Sequence, residues 1–238
     1  MPVVTSVDDA IATLRIENGR MNAVDPALIA DLRAALEQGS QCRAVVLTGR
    51  PGIFTAGLDV KALAGMTAQQ RLDFFVDFGR LVLELWVMPV PVVCAATGHA
   101  IAAGTLLALA SDHVVAARGD FRWGMTETRI GLELSDYAIM LVRRRVGSQH
   151  ADKLLLEGSS VDPDAAVRLG IVDDCADPDE VLPRATRVAL ELAALPPAAY
   201  ARNKARLRAA AARSAQADLA ADIGRLVSSD TARGASDG

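Results

Sequence analysis

Two stretches of the chain combine small residues, a turn and the start of a helix, which leaves backbone N–H groups uncovered. In TGRPGIFTAGLDVKAL (48–63), Gly49, Gly52 and Gly57 let the backbone turn sharply, and Asp59 is placed to cap a helix beginning at Val60. In TGHAIAAGTLLAL (97–109), the small residues at 102–104 stand where a second helix begins. Unpaired amides at a helix N-terminus attract negative charge, so each stretch is suited to hold an oxyanion or another anionic group. Taken singly, such a loop is more often a plain turn than a site.

The elements that must position these loops are legible around them. AIATLRI (10–16), RAVVLTG (43–49), PVVCAAT (91–97), HVVAA (113–117) and GIVDD (170–174) are β-branched runs expected to be strands. Between them, DPALIADLRAALEQG (25–39) carries an Asp N-cap, Pro at the first helical position and a closing Gly, and 67–87 shows a long amphipathic pattern. This alternation predicts an α/β domain with buried, mostly parallel strands. No internal repeat is visible. The uncharged stretch from Leu85 to Ser111 reaches transmembrane length, but Pro89, Pro91, Gly98 and Gly104 divide it into a strand, a turn and a short Ala-rich helix.

From Asp179 onward the sequence is helical and Ala-rich, interrupted at Pro196 and Pro197. Arg202, Lys204, Arg206, Arg208 and Arg213 read as a solvated helix face, with Leu207, Leu219, Ile223 and Leu226 packing inward. Only SSDTARGASDG (228–238) reads as disordered. The expected organisation is a core over 1–178 and a helical region over 179–238.

At 238 residues the chain is long enough to bury a large core, and its net charge of −4 offers no field that draws in nucleic acid or an anionic membrane. Neither is expected as a partner, and an anionic ligand must be met by local Lys and Arg. Cys42, Cys94 and Cys175 are odd in number and widely spaced, as reduced thiols are. His99, His113 and His150 show no ligand spacing with them, so no metal site is expected. The start MPVVTSVDDAIATLRIEN lacks the basic and apolar regions of a signal peptide, and a cytoplasmic location is the expectation.

Four segments, FTAGLDVKAL (54–63), GHAIAAGTLLALASD (98–112), WGMTETRIGL (123–132) and RRRVGSQHADKLLLEGSSVDPDAAVRLGIVDD (143–174), occur in a particular order and spacing. With NGRMNAVDPALIADL (18–32), they resemble the crotonase superfamily of enoyl-CoA hydratases and isomerases over nearly the whole chain. The resemblance implies an α/β fold, a spiral of repeated ββα units with a C-terminal helical region that builds a homotrimer or a dimer of trimers. It implies an acyl-CoA thioester substrate, with coenzyme A as part of that substrate and no cofactor held permanently. The N–H groups of Leu58 and Ala103 fall on the two positions that hold the thioester oxygen, where each donor is worth about 3–4 kcal/mol. Ala56, Lys61, Arg20 and Lys204, the last from a neighbouring subunit, are the implied contacts to the coenzyme A portion. Phe74, Phe75, Phe78, Leu81 and Trp86 occupy the helix that walls the acyl pocket.

The family's hydratases use two glutamates. Here the later position is Glu127, and the earlier is Leu106, which transfers no proton. Hydration needs one group to activate water and usually a second to place it or to supply the α-proton, so Leu106 weakens that reading. Moving a double bond needs one carboxylate, which takes a proton from C2 of a 3-enoyl thioester and returns it to C4. AAGTLLALASD followed by WGMTETRIGL is similar to the mitochondrial-type Δ3,Δ2-enoyl-CoA isomerases, which also carry Leu and then Glu. Glu127 is the implied catalytic proton shuttle, with burial expected to raise its pKa. Asp136 and Glu133 are alternatives for a second acid in a hydratase or another enolate-forming enzyme, although a helix N-terminus accounts for them as well. A third reading is an acyl-CoA binder without turnover.

Overall fold

The computed structural model describes the backbone of residues 1–236 and the side chains of residues 1–228. The chain opens with a hairpin, β1 (Val3–Asp8) and β2 (Ile11–Ile16), whose turn puts Asp9 and Ala10 at φ 44° and 63°. Positive φ at both turn residues matches the twist of the flanking strands. Helix α1 (Pro26–Gly39) begins as its sequence predicts, with the Asp25 side chain accepting a hydrogen bond from Leu28 N–H. Strands β3 (Ala44–Thr48) and β4 (Gly52–Thr55) lead to α2 (Val60–Ala64), capped by Asp59, and to α3 (Ala68–Val87), opened by a Thr67–Gln70 capping box. Strands β5 (Val92–Ala96) and β6 (Gly98–Ile101) lead to α4 (Ala103–Leu109). Strands β7 (His113–Ala117) and β8 (Trp123–Gly124) lead to a 3-10 turn (Glu127–Ile130). The chain then forms α5 (Asp136–Val146), α6 (Ser148–Glu157), β9 (Ser160–Val161), α7 (Pro163–Leu169), β10 (Asp174–Ala176), α8 (Val181–Ala193) and α9 (Pro197–Ser236).

Among the described residues, six strands form one sheet in the order β1-β2-β3-β5-β7-β10, and β4-β6-β8-β9 form a smaller one. Only the β1–β2 and β8–β9 pairs are antiparallel. The chain alternates between the sheets, β3 then β4, β5 then β6, β7 then β8, and each pair runs on into helical backbone. This is the spiral of ββα units that the resemblance implied. Because β4, β6 and β8 are parallel neighbours, the segments leaving their C-terminal ends emerge side by side.

Strands β3 and β5 are buried along their whole length because both faces of the large sheet are covered. Leu14, Val45, Leu47 and Cys94 pack with residues of α1, α3 and α4. On the other face Val46, Val93 and Val115 meet Val181, Ala185 and Ala189 of α8, so the first helix of the C-terminal region completes the core.

The strand expected at 170–174 lies instead at Asp174–Ala176. Gly170 closes α7 with φ 79°, and the N–H groups of Ile171 and Val172 turn back to Ala166 O at 2.9 and 3.2 Å, which removes them from strand pairing. Along α9, Leu219 and Ile223 are buried as expected, but Leu207 is exposed. The segment expected to be disordered, 228–238, instead continues α9 as helix through Ser236, and residues 237 and 238 lie outside the described residues. No helix of the described residues is long and apolar enough to cross a membrane.

Just beyond α4, one carboxylate joins three elements. Asp112 accepts a hydrogen bond from Val92 N–H (2.7 Å) and pairs with Lys204 (2.6 Å) and Arg208 (2.8 Å) of α9. Removing it leaves two cations near each other without compensation, one of them buried, whereas removing Lys204 leaves Arg208 to balance the carboxylate. Asp112→Ala is therefore expected to cost about 3–5 kcal/mol in urea denaturation, and Lys204→Met clearly less.

Candidate active site

The segments leaving β4 and β6 are packed directly on each other. A Cβ on Gly104 would lie 2.5 Å from Thr55 O and 2.8 Å from Thr55 Cγ2, so α4 reaches β4 only because residue 104 has no side chain. Ala102, immediately before α4, stands at φ 51° and ψ −114°, a strained backbone for a residue with a Cβ. It is held there by its own N–H, which donates to Gly124 O at 2.8 Å. The strained turn presents Ala103 N–H at the start of α4. On the other loop, Val24 and Leu58 form a parallel bridge in which Val24 N–H donates to Gly57 O (2.8 Å) and Asp59 N–H to Val24 O (2.9 Å). This pattern uses the residues flanking Leu58 and turns its own N–H away from Val24. Neither the Leu58 nor the Ala103 N–H has a backbone acceptor among the described residues. Both residues line one pocket with a cavity volume of about 100 Å³.

Glu127, the first residue of the 3-10 turn after β8, lines the same pocket. Strand β8 is fixed by Thr105 of α4, whose hydroxyl lies 2.7 Å from Ala100 O and 3.0 Å from Gly124 O and accepts from Gly124 N–H at 3.1 Å. One buried side chain thus couples the Ala103 helix to the strand that delivers Glu127. Glu127 Oε2 is buried with no hydrogen-bond partner among the described residues. Burial pushes the pKa of this carboxyl up, opposed by a hydrogen bond from its own backbone N–H. The surrounding wall is apolar, built from Phe75, Phe78, Leu106, Met125 and Ile223. The pocket is thus lined by two residues whose N–H groups have no backbone acceptor among the described residues and by one poorly solvated carboxyl with a raised affinity for a proton.

The structure brings Leu58, Ala103 and Glu127 together around this pocket, and Leu106, 4% exposed, is part of its wall. Glu133 also stands on the wall, at an exposed position. Asp136 does not: its side chain is 72% exposed and lies 3.7 Å from Arg225, so the expectation of a second acid there is corrected. Arg20 and Lys61 are exposed outside the pocket lining, and Ala56, half-buried, donates its N–H to Met21 O at 3.1 Å. Lys204, expected to meet coenzyme A, is 5% exposed and bound to Asp112 and to Val90 O (3.1 Å). Burial pushes its ammonium down to about 8 against the pull of Asp112, and it is committed to the fold. Phe75 and Phe78 face the pocket, while Phe74, Leu81 and Trp86 are core.

Two residues that shape the site were not singled out from sequence. Asn22, fully buried at φ 48°, donates to Ile16 O (2.9 Å) and Phe54 O (3.0 Å) and accepts from Asn18 N–H (3.0 Å), which ties the segment before α1 to β4. Thr105 is the other. Their signals were an Asn among turn residues and a lone hydroxyl at the start of an apolar helix. Among the described residues no group of three or more His, Cys, Asp or Glu side chains is placed to hold a metal ion.

Known proteins share this architecture. A family profile described as enoyl-CoA hydratase/isomerase matches residues 6–234. The chain is similar to a putative enoyl-CoA hydratase of Thermus thermophilus, 37% identical over 180 residues, which cover 73% of this chain and 70% of that protein. Among solved structures it is similar to the human mitochondrial Δ3,Δ2-enoyl-CoA isomerase, with a TM-score of 0.91, 27% identity and coverage of 96% of this chain and 91% of that one. It is also similar to a probable enoyl-CoA hydratase, EchA3, of Mycobacterium tuberculosis, with a TM-score of 0.89, 31% identity and coverage of 94% and 97%.

The contact between the two loops is testable without a substrate. Gly104→Ala must drive a methyl group into Thr55, and the overpacking is expected to cost about 1–3 kcal/mol, read as a lowered thermal midpoint.

Proposed function

The chain belongs to the enoyl-CoA hydratase/isomerase family of the crotonase superfamily, and from that premise we propose that it converts a 3-enoyl-CoA to a 2-enoyl-CoA through a thioester enolate. The observation that carries this reading is the pairing, in one pocket, of a buried Glu127 carboxylate oxygen without a partner and a leucine, Leu106, where the family's hydratases have their other acid. One group that moves protons suffices for double-bond migration.

In this mechanism the Leu58 and Ala103 N–H groups donate to the thioester oxygen. Glu127 takes a proton from C2, and the electron pair of that C–H bond passes into the carbonyl to give a dienolate whose oxygen bears the negative charge. The two donors stabilise this charge more than that of the neutral thioester, which lowers the barrier. The protonated Glu127 then delivers its proton to C4. The double bond ends between C2 and C3, Glu127 is ionised again, and no water is consumed. The apolar wall serves the second half-reaction, because it raises the affinity of the carboxylate for the proton it must hold between the two transfers. Contacts of Ala56, Lys61 and Arg20 with the coenzyme A portion, and assembly as a homotrimer or a dimer of trimers, belong to the same proposal.

The position of Glu133 on the pocket wall favours one second reading, hydration of a 2-enoyl thioester with Glu127 and Glu133 as the two acids. Side-by-side assays of isomerisation and hydration separate the two. Isomerisation is expected to dominate in the wild type and to fall about 10²–10⁴-fold in Glu127→Gln; dominant hydration, or isomerisation that survives the substitution, would overturn the proposal. Because Glu127 acts first as a base, kcat/KM rises with pH as the carboxyl ionises. Burial is expected to set that ascending limb above the ordinary glutamate range. Leu106→Glu is expected to raise hydration relative to isomerisation in the same pair of assays.

A further inference from the structure

Two helices that wall the pocket are joined by one carboxylate. Helix α5 contributes Tyr137 and Ala138, and α9 contributes Ile223, Leu226 and Val227. Ser135, at the N-cap of α5, makes no capping hydrogen bond with its side chain. Instead, Asp136 N–H donates to Asp222 Oδ2 on α9 at 2.8 Å, across a separation of 86 residues. Asp222 is 5% exposed, and its other oxygen receives Arg225 at 3.1 Å, while Arg225 also lies 3.7 Å from the Asp136 carboxylate. An orphan amide of the first turn of α5 is thus satisfied by a carboxylate from another helix, in the orientation that the helix dipole favours.

The approach of the helices depends on Gly79 of α3. A Cβ there would lie 2.9 Å from Leu219 Cδ1 and 3.1 Å from Tyr137 Cε1, so α3, α5 and α9 meet without a side chain between them. Ile223 follows Asp222 directly and Leu226 comes one turn later, so the bond that docks α9 on α5 also fixes the wall that α9 gives to the pocket. Leu58, Ala103 and Glu127 belong to other elements.

We propose that Asp222 is a positioning residue that caps α5 from α9 and, by holding the Ile223–Val227 wall in place, sets the length of acyl chain that the pocket accepts. The substrate half of this inference rests on the acyl-CoA reading above; the cap itself does not. When the bond is lost, α9 moves off α5, the pocket lengthens on that side, and long chains gain at the expense of short ones.

The test compares wild type, Asp222→Ala, Asp222→Asn, which keeps an acceptor oxygen, and Asp222→Ser, whose hydroxyl is too short to reach but suits the buried position if the Ala variant does not fold. Amide exchange over residues 136–139 is read by mass spectrometry, calorimetry gives the affinities of saturated acyl-CoAs of short, medium and long chain, and KM and kcat are measured on the matching 3-enoyl-CoAs. Asp222→Ala and Asp222→Ser are expected to speed exchange at the start of α5 about fivefold and to shift the long-to-short ratio of affinities and of KM by about the same factor, with kcat on the preferred chain within about twofold. Asp222→Asn is expected to stay close to wild type. Unchanged exchange, faster exchange with an unchanged chain-length ratio, or an Asn variant that behaves like Ala would each overturn the proposal, the last by assigning the effect to the Arg225 pair. A wild type that binds no acyl-CoA would instead sink the substrate reading, and the exchange comparison would still decide the cap.

Discussion

Parallel pairing of β4, β6 and β8 is the constraint on which the site depends. Parallel neighbours release their chains at the same end of a sheet, so three successive turns of the spiral deliver Leu58, Ala103 and Glu127 to one place, although 69 residues separate the first from the last by number. The large sheet has no direct part in the chemistry. Its role is to be rigid: with β3 and β5 buried on both faces, the crossings to the small sheet start from fixed points. The small strands, two to four residues long, could not hold a register alone. They hold it because side chains from outside the sheet bind their backbone, Asn22 at Phe54 and Thr105 at Ala100 and Gly124.

Both electrostatic features of the pocket follow from the same closeness. The two loops approach until only glycine fits at 104, and Ala102 is bent out of ordinary backbone geometry to make the turn into α4. Such strain persists only where the surroundings determine it, here through the bond from Ala102 N–H to Gly124 O. In the proposed mechanism the gain would be a pair of amides fixed before any substrate arrives, so that no reorganisation is needed when charge develops. The packing that leaves these donors unpaired also leaves Glu127 Oε2 without a partner. A buried unpaired acceptor costs stability, about 1–3 kcal/mol in ordinary cases, a cost that the proposed role of Glu127 as a proton carrier would account for.

Sequence made local signals visible and hid distant ones. Asp25 with Pro26 announces α1 because a cap and its partner lie within four residues, and the amphipathic pattern over 67–87 announces α3. Strands β3 and β5 of the large sheet are apolar runs buried on both faces, and four of the five strands expected lie close to their predicted positions. Strands β4 and β6 fall inside stretches that read as turns, and β8 inside a segment for which the sequence predicts no strand, because their short runs become strands only through partners far along the chain. The N-terminal strand β1 escaped notice for a different reason: after Val3 it is exposed along its length and carries little hydrophobic pattern. Among site residues, the uncovered amides were legible from small residues at helix starts, but the pairing of Leu58 with Ala103 and the role of Glu127 came only from resemblance. Lys204 misled because a lysine on an Ala-rich helix looks solvated, and its buried partner, Asp112, is 92 residues away.

In the proposed reaction, the balance between Leu106 and Glu127 would suit migration of a double bond better than addition of water. Hydration needs an ordered water near the reacting carbon, and water is ordered by polar groups, usually two or more. Here the position that would supply the second group is a buried leucine that lines the pocket together with Phe78 and Met125. Those walls raise the cost of leaving Glu127 ionised, which would hinder an enzyme that needs a strongly acidic carboxyl and helps one whose carboxyl must hold a proton while the dienolate waits. On that proposal a hydrocarbon at position 106 would act twice: it offers no group to bind water, and it would favour Glu127 as a carrier of a proton within the substrate.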